Sequence, residues 1–225
     1  MQLNENTLTV LKNFAGINPN IVIQNGDTLK TITEAKNVLA QAKLDQEFPT
    51  PMGIYDLNEF LAVLGLVDSP TLEFTDDYVI VNDSSGRSKV KYFYADPEIL
   101  TSPQKDIVMP DSDVSFVLDE ATLNRLRKAT ATLGHQEISI SGTTSGVLSL
   151  SVIDKNNATS NAFSIHVSGE FQNGDFNYVL NIGNLRIVPG DYDVSISSKL
   201  ISHFVNKNSN IQYWIALEKS SETGV

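Results

Sequence analysis

Two aspartates late in the chain, Asp191 and Asp193, have a spacing that could suit the binding of a cation. They stand two residues apart at the start of an expected strand, where side chains of the same parity face the same side. Two carboxylates on one side could hold a hard cation such as Ca²⁺ or Mg²⁺. Acidic residues beside turns more often face water, and this second interpretation is favoured.

The sequence contains none of the common enzyme motifs. There is no Gly-x-x-x-x-Gly-Lys-Ser/Thr loop, no Gly-x-Ser-x-Gly elbow and no His-Glu-x-x-His pair. The three histidines, His135, His166 and His203, are isolated from one another in sequence. Residues 141–146 resemble a phosphate nest, but they lack the lysine and the following helix that such a site needs. We therefore predict a protein that is not an enzyme and that needs no metal and no cofactor.

The composition narrows the class of protein further. The 225 residues include no cysteine, which removes disulfides and thiol chemistry. A formal charge of −11 opposes general binding to nucleic acid, because affinity for phosphate comes from Lys and Arg. DNA contact would require the 16 basic residues to concentrate on one wall. Without a secretory leader or a long apolar run, we expect a soluble, intracellular protein.

Apolar periodicity predicts two helices in the first half of the chain. One covers about residues 6–14, with Asn6 as its N-cap. The other follows Asp56, which is placed to cap it, with Glu59 at the reciprocal position of a capping box. Residues 36–48 fit either a helix or a strand. Strands are predicted at 21–23 and 28–35, joined as a hairpin through Asn25-Gly26, and at 71–74, 78–82 and 88–94.

The second half repeats this order around a segment with three prolines, residues 95–113. We predict a helix at about 119–133 and a second, short amphipathic helix after Asn181. Strands are expected at 137–141, 147–153, 162–168, 192–198, 200–205 and 211–217. This duplication predicts an α+β fold with one domain over residues 1–100, a connector over 101–113 and a second domain over 114–225.

Five short segments, in the same order along nearly the whole chain, resemble the sliding clamps of T-even-type tailed bacteriophages. They are Leu11-Lys12-Asn13-Phe14-Ala15 with Ile17-Asn18, Ile54-Tyr55-Asp56-Leu57-Asn58 with Phe60-Leu61, Ala95-Asp96-Pro97, Pro189-Gly190 with Tyr192, and Ala216-Leu217-Glu218. Residues 24–50 and 141–175 depart from the family pattern.

The resemblance implies two similar β-rich clamp-type domains. Three copies would close into a ring, with helices lining it and antiparallel sheets outside. Such a ring is a processivity factor that encircles duplex DNA and tethers the replicative polymerase. The implied partners are that polymerase, an ATP-driven clamp loader and, as a further partner, the late-transcription machinery, in the cytoplasm of the infected bacterial host.

On this resemblance, the DNA-facing wall carries basic residues opposite or beside the apolar stripes of its helices. We expect Lys12, Arg125, Lys128 and Arg186 to face DNA, with Arg127 as a flanking candidate. The alternative for each residue is a helix face that simply meets water.

Family resemblance also places a partner-peptide site near the connector. Ile107, Val108, Met109 and Pro110 form an apolar cluster there, and Tyr213 and Trp214 are candidates to line the same region. Anchoring of the connector to the core is the alternative role for the cluster.

Three other functions fit parts of the same pattern. A virion or tail protein could equally be β-rich, acidic and trimeric, but it would have no basic inner wall. An enzyme assembled from scattered Asp, Ser and His would show a deep pocket of converging titratable groups. A small-ligand-binding module is the third alternative.

Overall fold

The computed structural model describes residues 1–157, 159–171 and 175–222. The chain divides into two compact units, Met1–Asp106 and Ile107–Val225. Both mix helices with antiparallel sheets, so the fold is α+β as predicted.

The first unit contains two helices and seven strands. They are α1 (Glu5–Ile17), β1 (Ile21–Ile23), β2 (Gly26–Ile32), β3 (Val38–Phe48), β4 (Met52–Ile54), α2 (Leu57–Leu64), β5 (Thr71–Phe74), β6 (Tyr78–Asn82) and β7 (Lys89–Phe93). A 3₁₀ turn follows at Pro97–Ile99.

The described part of the second unit contains one α-helix and nine strands. They are β8 (Val114–Leu118), α3 (Glu120–Leu133), β9 (Glu137–Gly142), β10 (Leu148–Ile153), β11 (Phe163–Val167), β12 (Gly169–Phe171), β13 (Phe176–Asn181), β14 (Tyr192–Ser197), β15 (Ile201–Asn206) and β16 (Ile211–Ala216). A 3₁₀ turn, Ile182–Asn184, lies between β13 and β14.

Helix α1 begins earlier than the sequence predicts. Its N-cap is Asn4 rather than Asn6, because the Asn4 side chain accepts a hydrogen bond from the Thr7 N–H at 2.8 Å. The inner face buries Leu11 and Phe14 completely. The predicted N-cap was therefore wrong by two residues, while the helix itself is confirmed.

Helix α2 follows the prediction closely. The Asp56 carboxylate accepts hydrogen bonds from the backbone N–H groups of Asn58 at 2.9 Å and Glu59 at 3.2 Å. Phe60 is fully buried and meets the ring of Tyr92 edge to face, with centroids 5.2 Å apart. The cap thus fixes where the helix begins, and one aromatic side chain holds it against β7.

Two predictions in the first unit need correction or resolution. Strand β1 pairs antiparallel with β4, so the predicted hairpin between residues 21–23 and 28–35 is wrong. Of residues 36–48, left open between helix and strand, Val38–Phe48 form β3. Ala40, Ala42 and Leu44 are buried there at a period of two, which is the period of a strand and not of a helix.

Helix α3 is also confirmed. Asp119 caps it by accepting a hydrogen bond from the Thr122 N–H at 2.6 Å, and Leu123 and Leu126 are buried beneath it. Gly134 ends the helix with φ +72°, a backbone conformation that favours glycine.

The predicted second helix of this unit is wrong, because only the 3₁₀ turn forms. Leu185 and Ile187 are both buried while Arg186 between them is exposed, a period of two that suits an extended chain. Gly183 weakens a helix here, and Pro189 disfavours helical geometry at the residue before it.

The strands pair in separate sets within each unit. In the first, β5, β6 and β7 form one sheet, β2 pairs with β3, and β1 pairs with β4. In the second, one sheet has the order β11-β10-β9-β13, and β12, β8, β14, β15 and β16 pair in that order. No helix in the described ranges is long and apolar enough to cross a membrane.

Candidate functional site

The outer face of α3 carries two of the predicted basic residues. Arg125 and Lys128 are exposed and line a groove of about 430 Å³ between α3 and β11. The Arg125 guanidinium carbon lies 5.8 Å from the ring centroid of Phe163 on β11. The groove is therefore apolar at its floor and basic along its helical rim.

The first unit contributes one predicted basic residue. Lys12 is exposed on α1, and no ion pair to it is found in the described ranges. The exposed stripe of α2 contains Asn58, Ala62 and Gly65, with Glu59 beside it. The two helices of this unit thus expose one cation, whereas α3 exposes two.

Arg127 is turned toward the protein rather than toward solvent. It is half-buried, and its Nη2 donates to the carbonyl oxygens of Leu185 at 2.9 Å and Ile187 at 3.3 Å. These carbonyls belong to the extended segment that replaces the predicted helix. The guanidinium therefore joins α3 to that segment.

Arg186 is exposed, but it follows a 3₁₀ turn instead of lying on a helix. Its Nε donates to the carbonyl oxygen of Gly183 at 3.0 Å. The side chain is thereby oriented by the turn that precedes it.

Two buried tyrosines hold the other side of the same segment. The Tyr192 hydroxyl donates to the Val188 carbonyl oxygen at 2.6 Å, and the Val188 N–H donates to the Tyr213 hydroxyl at 3.2 Å. Both side chains are fully buried. Burial raises the pKa of Tyr192 to about 12 and raises the pKa of Tyr213 further, because the charged phenolate is poorly solvated there.

Trp214 differs from its neighbour Tyr213. Its indole stacks on the His203 imidazole with centroids 4.6 Å apart, and its Nε1 is buried without a hydrogen-bond partner among the described residues. His203 contacts Gln212 Oε1 at 2.9 Å, and burial lowers its pKa. Tyr213 is thus committed to the core, whereas the Trp214 donor is not satisfied.

The predicted apolar cluster lies in a segment without strands or helices. Val108 is 85% exposed, whereas Ile107, Met109 and Pro110 are half-buried. An exposed valine in such a segment is one apolar side chain open to a partner.

The two aspartates of the candidate cation site have different partners. Asp191 accepts a hydrogen bond from the Glu120 N–H at 2.8 Å, and Asp193 forms an ion pair with Lys207 at 3.3 Å. In the part of the chain that the structure describes, no group of three or more His, Asp or Glu side chains could hold a metal ion. The two aspartates therefore have structural partners.

The histidines do not converge on one another. His135 contacts the Asn161 carbonyl oxygen at 2.8 Å, and the exposed His166 contacts the Ser149 hydroxyl at 2.9 Å. Within the described ranges His166 has no carboxylate partner to orient it, as a serine nucleophile's base requires.

Sequence reasoning missed the exposed edge of the first unit's sheet. Strand β7 is at the edge of the order β5-β6-β7, and Phe93 on it is 63% exposed. The Lys91 ammonium lies 3.6 Å from the ring centroid of Tyr78 and 4.5 Å from that of Phe93. The alternation of Lys89, Lys91 and Phe93 on one face was the available signal.

Two family models together match most of the chain. The model described as "DNA polymerase processivity factor" matches residues 4–101, and the model described as "gp45 sliding clamp, C terminal" matches residues 115–219. Each matched range falls wholly within one of the two units.

Individual proteins match over nearly their whole length. The protein named sliding clamp from Vibrio phage KVP40 is 34% identical over 224 residues, covering 97% of this chain and 99% of that protein. The sliding clamp of Escherichia phage RB69 is 28% identical over 228 residues, covering 98% of each. Among solved structures, proliferating cellular nuclear antigen from Entamoeba histolytica matches with a TM-score of 0.65, 15% identity and 94% coverage of both chains. These findings confirm the resemblance inferred from the sequence.

Proposed function

Since the chain belongs to the family of phage sliding clamps, which are DNA polymerase processivity factors, we propose that three copies close head to tail into a ring around duplex DNA. The observation that carries the proposal is the match to phage clamps over nearly the full length of both proteins. The repeated order of elements in the two units supports it, because a duplicated unit suits a ring of repeated parts.

We propose that this ring stays on DNA by enclosing it, while a few cations attract phosphate. Lys12, Arg125, Lys128 and Arg186 are exposed and supply that attraction. Arg127 lies beside them, and its bonds to two carbonyl oxygens support a positioning role for it. Enclosure explains how a chain of charge −11 could remain with a polyanion.

For the contact between copies, we propose the α3–β11 groove of one copy and the α2–β7 region of the next. Strands β7 and β11 each lie at the edge of their sheets, where unpaired backbone groups can extend a sheet into a neighbour. Phe93 and Leu66 are exposed apolar side chains of the α2–β7 region, at 63% and 71%, and the groove offers apolar surface to receive them.

The proposed partners are proteins as well as DNA. The replicative polymerase would bind through a short peptide near Val108, with Ile107, Met109, Pro110 and Trp214 in the same region, whereas the fully buried Tyr213 would support that region from the core. Opening of the closed ring calls for an ATP-driven clamp loader, and the late-transcription machinery is a further proposed partner. The chain itself would act without catalysis, in the cytoplasm of the infected bacterial host.

The test combines solution mass with polymerase assays. The mass by light scattering is expected to be that of a trimer, and the protein should lengthen polymerase products on primed circular DNA when its loader is present. Phe93→Asp and Phe163→Asp should each give monomers, because they place charge in the proposed contact. Val117→Asp, on an exposed strand position elsewhere, is the matched control. A monomeric protein without effect on product length would refute the proposal.

The alternative of a virion protein has no support from the relatives reported above. Those relatives are named sliding clamp, and none is a capsid or tail component. The exposed basic residues on α3 also match the one feature that separates a clamp from a virion protein.

A further inference from the structure

The exposed surfaces of the three helices carry no net charge. Six charged side chains are exposed on them, three acidic and three basic: Glu5, Glu59, Glu120, Lys12, Arg125 and Lys128. The remaining helical cation, Arg127, already donates to two backbone carbonyl oxygens. If these helices face DNA, as the proposed function requires, electrostatic attraction along them is weak.

Uncharged amide donors occupy the same exposed faces. Asn58 on α2 and Asn124 on α3 are exposed, and neither side-chain amide forms a hydrogen bond within the described ranges. Asn124 lies four residues before Lys128, so the two share one stripe of α3. Asn58 shares its stripe with Ala62 and Gly65, whose small size leaves the amide accessible.

These asparagines have no evident role in folding. Asparagine has lower helix propensity than alanine, because its side chain competes for backbone hydrogen bonds. Asn6 on α1 differs, since its amide contacts the Asp45 carboxylate. Asn58 and Asn124 therefore lower helix stability slightly while presenting unused donors on the exposed faces.

We infer that Asn58 and Asn124 are DNA-contacting residues that donate hydrogen bonds to phosphate oxygens, so that much of the contact is independent of charge. Asparagine is an ordinary donor to phosphate in protein–DNA contacts. A neutral donor displaces no counterion, so its contribution does not change with salt. This inference rests on the proposed function, and it makes the sliding contact less sensitive to salt than a basic wall would be.

The experiment follows single fluorescent trimers, loaded by their clamp loader, along stretched linear duplex DNA at several salt concentrations. Asn58→Ala/Asn124→Ala should diffuse faster than wild type by about threefold at every salt, since a hydrogen bond's net contribution is worth a few-fold change. Arg125→Ala/Lys128→Ala should instead remove about half of the salt dependence, because two of the four proposed phosphate-attracting cations are lost. The asparagine variant should also melt at a slightly higher temperature, opposite to the result expected if these residues supported the fold.

Two further variants make the result decisive. Asn58→Gln/Asn124→Gln keeps the donors and should diffuse like wild type, while Asn210→Ala, an exposed loop residue, should change nothing. Wild-type diffusion by a trimeric Asn58→Ala/Asn124→Ala protein overturns the inference. If the double alanine variant does not assemble, Asn124→Ala takes its place. Equal diffusion of Asn124→Ala, which lacks one donor, and Asn58→Gln/Asn124→Gln, which keeps both, then overturns the inference. A wild-type protein that never tracks along DNA refutes the proposed function instead.

Discussion

The two units differ in the segment that connects one sheet to the next. After β4, the first unit forms the eight-residue helix α2, whereas after β13 the second unit forms one 3₁₀ turn and an extended segment. In α2 the backbone hydrogen bonds are satisfied locally and by the Asp56 cap. In the extended segment, the carbonyl oxygens of Leu185 and Ile187 are satisfied by Arg127, which is distant in sequence, and that of Val188 by Tyr192, four residues later.

This difference has an energetic consequence. A helix loses little when one surface residue changes, because each residue contributes a fraction of a kcal/mol. A partly buried segment that depends on Arg127, Tyr192 and Tyr213 loses more, because removal of one partner leaves a partly buried polar group unsatisfied. We therefore expect single substitutions to damage the second unit more than the first.

The largest effect is expected for Arg127→Ala. It removes the donor to two carbonyl oxygens and should lower the free energy of unfolding by about 3 kcal/mol. Urea denaturation followed by circular dichroism measures the loss. Arg125→Ala, an exposed change on the same helix, is the control and should cost less than about 0.5 kcal/mol. Equal losses for the two variants would contradict the bridging role of Arg127.

Alkaline pH is the next expected perturbation. Burial raises the pKa of Tyr192 to about 12, above the value of about 10 in an unfolded chain. Below pH 10 the phenol is neutral in both the folded and the unfolded chain, so the free energy of unfolding is not reduced. As the pH rises toward 12 the unfolded chain ionises first, which lowers the free energy of unfolding by about 2 kcal/mol. Denaturation at pH 8 and pH 11 measures the first part of this loss, about 1.4 kcal/mol. Tyr192→Phe should lose less stability over that interval than wild type does, and an unchanged loss would argue against Tyr192 as the source.

Tyr213→Phe tests the other side of the segment. The substitution leaves the partly buried Val188 N–H without its acceptor and should cost about 1.5 kcal/mol. The same change at the exposed Tyr55, which is 67% exposed, is the matched control and should cost almost nothing. A negligible cost at Tyr213 would show that Val188 finds another acceptor.

The contrast between the units also explains which elements could be predicted. Helices α2 and α3 have an aspartate cap and apolar residues at helical spacing, so both were evident from local sequence. The segment after Asn181 has similar composition but depends on Arg127, which lies more than fifty residues earlier. A local pattern carries no information about such a distant donor.

The candidate site was predictable to the same extent. Exposure of Lys12, Arg125 and Lys128 follows from their positions on amphipathic helices. The inward turn of Arg127 does not, because a helical flank position allows either direction. The pairing of β1 with β4 was missed for a related reason: strand partners depend on topology, while Asn25-Gly26 is only a local turn signal.

Loss of the α2 cap should have a smaller effect than loss of the tyrosine contact. Asp56→Ala removes the acceptor for two backbone N–H groups and should cost about 1 kcal/mol. Asn181→Ala, the equivalent change before the 3₁₀ turn, removes one acceptor for the Gly183 N–H and should cost about 0.5 kcal/mol. Thermal unfolding of both variants measures the difference. A larger cost for Asn181→Ala would mean that the turn, and not Arg127, fixes the segment.

The smallest effect on stability is expected for the exposed helical cations. The units differ here in the number of cations, one in the first unit and two in the second, and not in packing. Lys12→Ala and Lys128→Ala should each change the free energy of unfolding by less than about 0.5 kcal/mol. On DNA, the salt dependence of diffusion should fall about twice as much for Arg125→Ala/Lys128→Ala as for Lys12→Ala, because each phosphate contact by a cation contributes a similar increment. Equal reductions would mean that one of the two α3 cations faces the groove at Phe163 instead of DNA. Arg125 would be that cation, because its guanidinium carbon lies 5.8 Å from the Phe163 ring centroid.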